Sequence, residues 1–566
     1  MKRVLVVLLA CACASAAGAQ TTTVVMTPGT QVPGAPPPRD ASGPRKTGTA
    51  ILRGTVVAAD SGQPLRKAQV RIMSPELREN RLATTDAGGK YEIKELPAGR
   101  YTLSVSKGSF VTLSYGQTRP FESGKPLEIQ DAQTIEKVDF VLPRGSVVTG
   151  RIVDEFGEPA TDVMVMLQRY QVIGGRRRLV SAGRSNQTND IGEFRLYAIP
   201  PGQYYLTATM RNTGTPFDSS DDRSGYAPTY FPGTPTIGEA QRVNIAVGQT
   251  LTDLNMTLIP TKLARVSGTA LDSRGRPMGG MVMAVPKSAD VFGPMMFTPS
   301  QIRPDGTFSI SGVSAGTYTL QVPGNGGADN ESASLEITVS GEDITDARLV
   351  GVKPSTLTGR VVVDPALAQS LNLSALRVGF MPTQPETIVF NGGPPGGVND
   401  DLTFESKVRP GQWRVNLNQL PAGWALKAVR HRGSDLTDSG FDVRPGEDIA
   451  DVEIELTNRM PELSGQVTNS RGATVKDYTV VAFPEDREKW TLSNSRYIRS
   501  ARPDQDGRFK ITSLPPGRYY IVALDQVEQG EWTDPEFLDR VQSKTTTVAV
   551  GEGETKTVDL KLNSTS

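Results

Sequence analysis

The chain has 566 residues, with 61 Lys and Arg against 61 Asp and Glu, a formal net charge of zero and only 6% aromatic residues. Balanced charge leaves no field of one sign to gather nucleic acid or an anionic membrane surface, so neither is expected as a partner. One histidine, His431, and two cysteines, Cys11 and Cys13, leave little material for metal, thiolate or triad chemistry, and no cofactor or metal is expected.

At the N-terminus, "MKRVLVVLLACACASAAGAQ" sets Lys2 and Arg3 before an apolar run and a small-residue "AGA", the order of a secretory signal over residues 1–19. A lipid-attached Cys11 is the alternative reading of the same segment. Cleavage near Gln20 removes both cysteines, which predicts a disulfide-free exported chain: periplasmic, outer-membrane-associated or secreted. Residues 20–48, rich in Pro, Gly and Thr without apolar periodicity, are expected to be a disordered linker. Beyond the signal no apolar run approaches the ~20 residues of a membrane helix, so no transmembrane segment is expected.

From residue 49 onward a three-part phrase repeats. Its first part is a glycine followed by a strand and a turn, at Gly54, Gly150, Gly268, Gly359 and Gly465. The second is a polar turn, an aromatic-led alternating strand, a Pro/Ala-Gly turn and another alternating strand. Examples are "TDAGGKYEIKELPAGRYTLSV" from Thr85, "NDIGEFRLYAIPPGQYYLTA" from Asn189 and "QDGRFKITSLPPGRYYIVA" from Gln505. Period-two alternation predicts a hairpin with Tyr91 and Ile93 on one face of its first strand and Tyr101, Leu103 and Val105 on one face of its second. Gly99, Gly202, Gly316, Gly411 and Gly517 fall at the turn, and each is expected to need backbone angles that other residues avoid. The third part is a closing apolar strand, such as "VDFVL" at Val138 or "VDLKL" at Val558. The repeat is domain-sized and predicts an all-β tandem array of about five antiparallel β-sandwiches: 49–143, 144–260, 261–352, 353–460 (divergent) and 461–566.

The pairing of "G-x-V-x-D-x-x-G-x-P" with "T-D-x-x-G-x-Y/F…L-P-x-G-x-Y" resembles the carboxypeptidase regulatory-like domain. The resemblance implies a prealbumin-like sandwich of the carbohydrate-binding-like type and an exported bacterial protein. It does not imply peptidase activity, because no stretch of the chain reads as the zinc peptidase domain that this module accompanies elsewhere, nor as the plug and barrel of a TonB-dependent receptor.

Several chemistry-bearing motifs stand beside or within this repeat. The "DQDG" at Asp504 and Asp506 offers carboxylates for calcium, but its aligned copies lack one or the other, and a turn is expected. Ser314 in "GVSAG" falls where the repeat places its turn, not at a strand-to-helix elbow. "GGRRRL" at Gly174 reads as a charged hairpin tip. Tyr226, Tyr230 and Phe231 are expected to plug the end of the second sandwich. In the fifth module Trp490, Tyr497, Trp532 and Phe537 lie between strands, with Glu485, Asp486, Glu488, Glu531, Asp534 and Glu536 nearby. Like the module-two aromatics, these rings are expected to plug the open end of their sandwich; the alternative makes them the candidate ligand surface, an aromatic floor with an acidic rim suited to a neutral sugar or a protein's extended segment. The expectation is therefore a non-enzymatic exported scaffold or binding protein, with a polysaccharide or an envelope protein as partner. The rivals are a carbohydrate-binding protein using the module-five aromatics and an accessory subunit of a separately encoded hydrolase.

Overall fold

The computed structural model describes residues 48–565, apart from 78, 211–223, 288–290, 293–297, 325–329, 369–372, 374, 384–394 and 422. The expected signal and nearly all of the expected linker lie outside the described residues. Strands dominate the described residues, because alternating apolar residues can each bury one face against a second sheet. Five separate apolar cores result, seeded for example by Leu52 and Tyr101, Val148 and Tyr204, Val266 and Phe308, Val378 and Trp413, and Val467 and Tyr519.

Each opening strand is central in its sheet. Ala50–Ala58 pairs antiparallel with Lys90–Leu96 on one side and parallel with Thr134–Ile135 and Phe140–Leu142 on the other. The same plan recurs around Ser146–Val153, Ala264–Leu271, Ser355–Val362 and Glu462–Thr468. Each sandwich is thus antiparallel except where its closing segment returns parallel to its first strand and, in the fifth, where Leu560–Asn563 also runs parallel to Gly517–Leu524. The module whose motif is most degraded, the fourth, keeps the plan and adds Ala425–His431 beyond its closing strand Ile449–Thr457.

The expected hairpin is not formed. Lys90–Leu96 pairs with the opening strand, whereas Gly99–Ser106 pairs with Gln69–Met73 and Leu127–Ile129 in the other sheet. The Pro-Ala-Gly turn is therefore an arch across the sandwich, and the apolar faces before and after it meet in one core. An aromatic ties each arch, buried in all but the third module, where Tyr318 is half-buried. Tyr101, Tyr204 and Tyr519 donate their hydroxyls to the carbonyls of Pro97, Pro200 and Pro515, each at 2.6 Å. Tyr318 donates to Ser314 O at 3.0 Å, and in the divergent module Trp413 Nε1 donates to Arg409 O at 2.8 Å. The polar end of each ring is satisfied, so the rest can be buried at little cost.

The opening-strand glycines have a stricter role than the arch glycines. A Cβ at Gly54, Gly150, Gly268, Gly359 or Gly465 would lie 1.9, 2.3, 1.8, 1.9 or 2.0 Å from the carbonyl oxygen of Val138, Leu254, Ala347, Val452 or Val558. The closing strand can approach only because that side chain is missing. Opposite each glycine stands the aromatic that leads the next strand: Tyr91, Phe194, Phe308, Phe404 or Phe509. The ring covers the gap, and Tyr91 also donates its hydroxyl to Val138 O at 2.6 Å.

Helix is confined to short pieces, of which Pro535–Gln542 in the fifth module is the longest described, and no described helix is long and apolar enough to cross a membrane.

Candidate functional site

The fifth-module aromatics form no open floor and are packed inside, as in the plugging reading and against the candidate ligand surface. Trp490, Tyr497 and Phe537 are 3%, 9% and 0% exposed, so none offers a ring face for stacking. Trp490 packs edge-on against Phe483 with ring centroids 5.3 Å apart and donates Nε1 to Pro484 O at 2.7 Å. Phe537 and Leu538 close a second small core under the helix Pro535–Gln542, and Trp532 lies half-buried against the same cluster. The physical reason is the helix itself, which covers the outer face of Thr479–Pro484 and Gly517–Leu524 and needs apolar filling beneath it. The acidic rim is likewise committed elsewhere. Asp486 and Asp534 cap helical turns, and Glu485 pairs with Arg518 at 2.9 Å. Burial pushes the Glu531 carboxyl above its usual range, and its Oε2 accepts from the Glu528 N–H at 3.0 Å.

The other motifs resolve into structure. Asp504 Oδ1 accepts from the N–H groups of Asp506 and Arg508, each at 2.9 Å, so the "DQDG" carboxylate closes a turn. Among the described residues no group of three or more His, Cys, Asp or Glu stands together to hold a metal ion. Ser314 sits at the arch between Thr307–Val313 and Gly316–Val322, with Oγ 3.0 Å from Tyr318 Oη. His431 ends a strand, half-buried against Phe441, with Nε2 buried and unbonded. Tyr230 is buried with Leu179 and Tyr205, while Tyr226 and Phe231 pack on the main core of the second module.

What the structure assembles instead lies between modules. Glu122 of the first module and Arg502 of the fifth form an ion pair whose side chains are each 3% exposed, and Arg502 also reaches Asp477 at 2.6 Å. Lys125 joins Asp477 at 3.2 Å, and Gln505 and Glu128 exchange two hydrogen bonds of 3.1 Å. Phe121 is the meeting point of three modules. The guanidinium of Arg169, from the second module, lies 3.6 Å from the centre of the Phe121 ring and pairs with Glu528 of the fifth at 3.0 Å. The Phe121 carbonyl accepts from Gln529 N at 2.8 Å. The "GGRRRL" tip is docked as well: Gly175 N donates to Thr533 Oγ1 at 3.3 Å. On another side of the fifth module, Tyr497 and Arg496 bind Asp438 of the fourth at 2.7 and 3.1 Å. The fifth module therefore contacts the first, second and fourth.

Beside the Phe121 junction a cleft of about 600 Å³ opens between the first and second modules, with Gln529 of the fifth at its floor. Lys67 and Lys107 line one wall and Arg169 and Arg184 the other, and no carboxylate lines it. Tyr197 is half-buried in the wall, its hydroxyl accepting from Arg184 at 3.2 Å. None of these residues stands out in the repeat. The one available signal was Arg169, a cation inside the apolar strand Val163–Ile173 that asks for a partner.

Comparison with known proteins places this architecture. Residues 51–143 and 462–563 match the carboxypeptidase regulatory-like domain family. A stretch of 113 residues is 31% identical to a TonB-dependent transporter, Oar, of Myxococcus xanthus, covering 20% of this chain and a tenth of that protein's length. Among solved structures, a streptococcal ancillary pilin is 17% identical over 53% of this chain and 98% of its own, with a TM-score of 0.19. The minor pilin GBS52 of Streptococcus agalactiae is 14% identical over 38% of this chain and 98% of its own, with a TM-score of 0.20. The two matched segments are the first and fifth sandwiches, so the chain carries a carboxypeptidase regulatory-like domain at each, and the three sandwiches between them repeat the same strand plan.

Proposed function

We propose that the protein is a non-enzymatic exported scaffold whose five sandwiches dock into one unit around the fifth, rather than a string of independent spacers. The observation that carries this reading is the Arg502–Glu122 pair, sealed between modules whose partners are nearly 400 residues apart. Burying two charges is costly, and leaving either one buried without the other would cost about 3–5 kcal/mol, so any packing that covers this surface must bring the two together. The envelope setting follows from the signal-like N-terminus, with the transporter relative as support. The test is a thiol cross-link. Thr118 Oγ1 lies 3.1 Å from Asp477 Oδ2 across the interface, and the only natural cysteines are Cys11 and Cys13. Thr118→Cys with Asp477→Cys, in a chain lacking residues 1–19, should be joined within one molecule by a short bis-maleimide. A pair that stays unlinked while the protein remains folded would refute the docked arrangement.

A further inference from the structure

We infer that the cleft between the first and second modules is a binding site for an anionic oligosaccharide. The inference rests on the docked arrangement above, because the fifth module supplies Gln529 and fixes Arg169 through Glu528. Charge comes first. The four cations share one cleft whose described lining holds no carboxylate, and among the described residues only Arg169 of the four has an acidic partner, Glu528, just outside the lining. Lys107 donates only to the Arg66 carbonyl at 2.7 Å, Arg184 to the Tyr197 hydroxyl, and exposed Lys67 has no ion pair among the described residues. In a chain of zero net charge such a local excess is not inherited from composition, and low-dielectric walls focus its field on whatever enters.

The rest of the lining selects the ligand class. Gln69, Gln171, Gln529 and Ser181 offer neutral donors and acceptors suited to hydroxyls, and Tyr197 adds a half-buried ring. The volume falls within the roughly 300–1,000 Å³ usual for small-ligand sites, too small for a folded partner. An acidic peptide is disfavoured by the strands. Gln69–Met73 is paired on both sides, and the outer side of Arg176–Ser181 is taken at Leu179 and Val180 by Val291–Phe292, so neither strand offers a continuous free edge for a peptide to add as a strand. A saccharide carrying carboxylates or sulfates needs no such edge.

Calorimetry on the chain lacking residues 1–19 tests this with four probes: trigalacturonate, a sulfated heparin hexasaccharide, neutral maltotriose and triglutamate. Trigalacturonate or the heparin fragment should bind about tenfold or more tightly than maltotriose and triglutamate, weakening as salt rises. Whichever of the two binds identifies the carboxylate or the sulfate as the recognised group. Lys67→Gln with Arg184→Gln, both exposed, should weaken that binding about tenfold or more with melting unchanged. Should the double variant melt early, Ser181→Glu, which places an acid in the cleft from an exposed position, replaces it and should give the same loss. Equal binding of maltotriose would remove the anionic requirement, and tighter binding of triglutamate would make the ligand a peptide. No binding by any probe, or affinity untouched by the variants, would overturn the site. If the Thr118–Asp477 cross-link forms and binding fails, the ligand assignment alone falls; if the cross-link itself fails, the docking reading falls and this assignment falls with it.

Discussion

Two sets of glycines recur at matched positions, and only one set is sterically required. At Gly465 an added methyl would sit 2.0 Å from Val558 O, a backbone atom that cannot swing aside without the closing strand leaving. At Gly517 it would meet nothing nearer than the Tyr519 ring at 3.5 Å, an ordinary contact, and φ there is not in the left-handed region. The expectation that the arch glycines need special backbone angles thus holds at Gly99, Gly316 and Gly411, with φ of 159°, 155° and 136°, and not at Gly202 or Gly517. Gly202 has a different reason: a Cβ there would lie 3.0 Å from the Phe121 ring of the first module. Urea unfolding should therefore separate the two sets. Gly465→Ala should destabilise the fifth module by about 3 kcal/mol or more, as overpacking against backbone does, and Gly517→Ala by less than about 1 kcal/mol. Equal losses would mean that the closing strand tolerates displacement.

Among the elements, the helix Pro535–Gln542 accounts for the loss of the candidate aromatic surface. Asp534 accepts from Glu536 N at 3.0 Å as its N-cap, Pro535 follows at the first turn, and Phe537, Leu538 and Val541 face inward. "DPEF" is a legible helix start, yet an eight-residue helix without a partner is not stable, so its existence depends on the sheet face that Trp490 and Phe483 provide. Asp534→Ala should cost about 1 kcal/mol through loss of the cap. Trp490→Ala should cost about 3–5 kcal/mol through the cavity it leaves. Thermal melts of the two variants check this, and a Trp490→Ala protein that melts like the parent would return the ring to the surface. The arches show a related ambiguity. Side chains alternate with period two in a hairpin and in an arch alike, so the pattern at Tyr91–Ile93 and Tyr101–Leu103–Val105 is readable, whereas the sheet to which each strand belongs is not.

Across the molecule, the contacts that matter join residues with no relation in the sequence pattern. Asp477 is held between Lys125 of the first module and Arg502. Burial alone would raise its carboxyl, but those two cations, with the Lys125 and Thr118 hydrogen bonds, outweigh it and hold the group below its ordinary value. A depressed folded pKa contributes stability that is present above the unfolded value of about 3.9 and is lost as pH falls through the folded one. Asp477→Asn should therefore melt earlier than the parent at pH 6, and the gap should close on acidification below about pH 4. A gap that does not narrow as pH falls below about 4 would show that the asparagine harms packing and that the charge is not what joins the modules.

The repeat and the all-β character of its modules were legible in the amino-acid order alone, because they rest on local alternation and turn chemistry that each module expresses independently. Alignment of the repeats within the chain was also enough to make turns of the "DQDG" and "GVSAG" motifs, and Asp504 and Ser314 stand where that alignment puts them. Which aromatics are core, that the fifth module packs on the first, second and fourth, and that Lys67, Lys107, Arg169 and Arg184 share a cleft emerge only once the chain is folded. Those outcomes depend on complementarity between surfaces hundreds of residues apart. A buried cation such as Arg502 announces that it needs a partner, but nothing in the sequence around it says that the partner is Glu122.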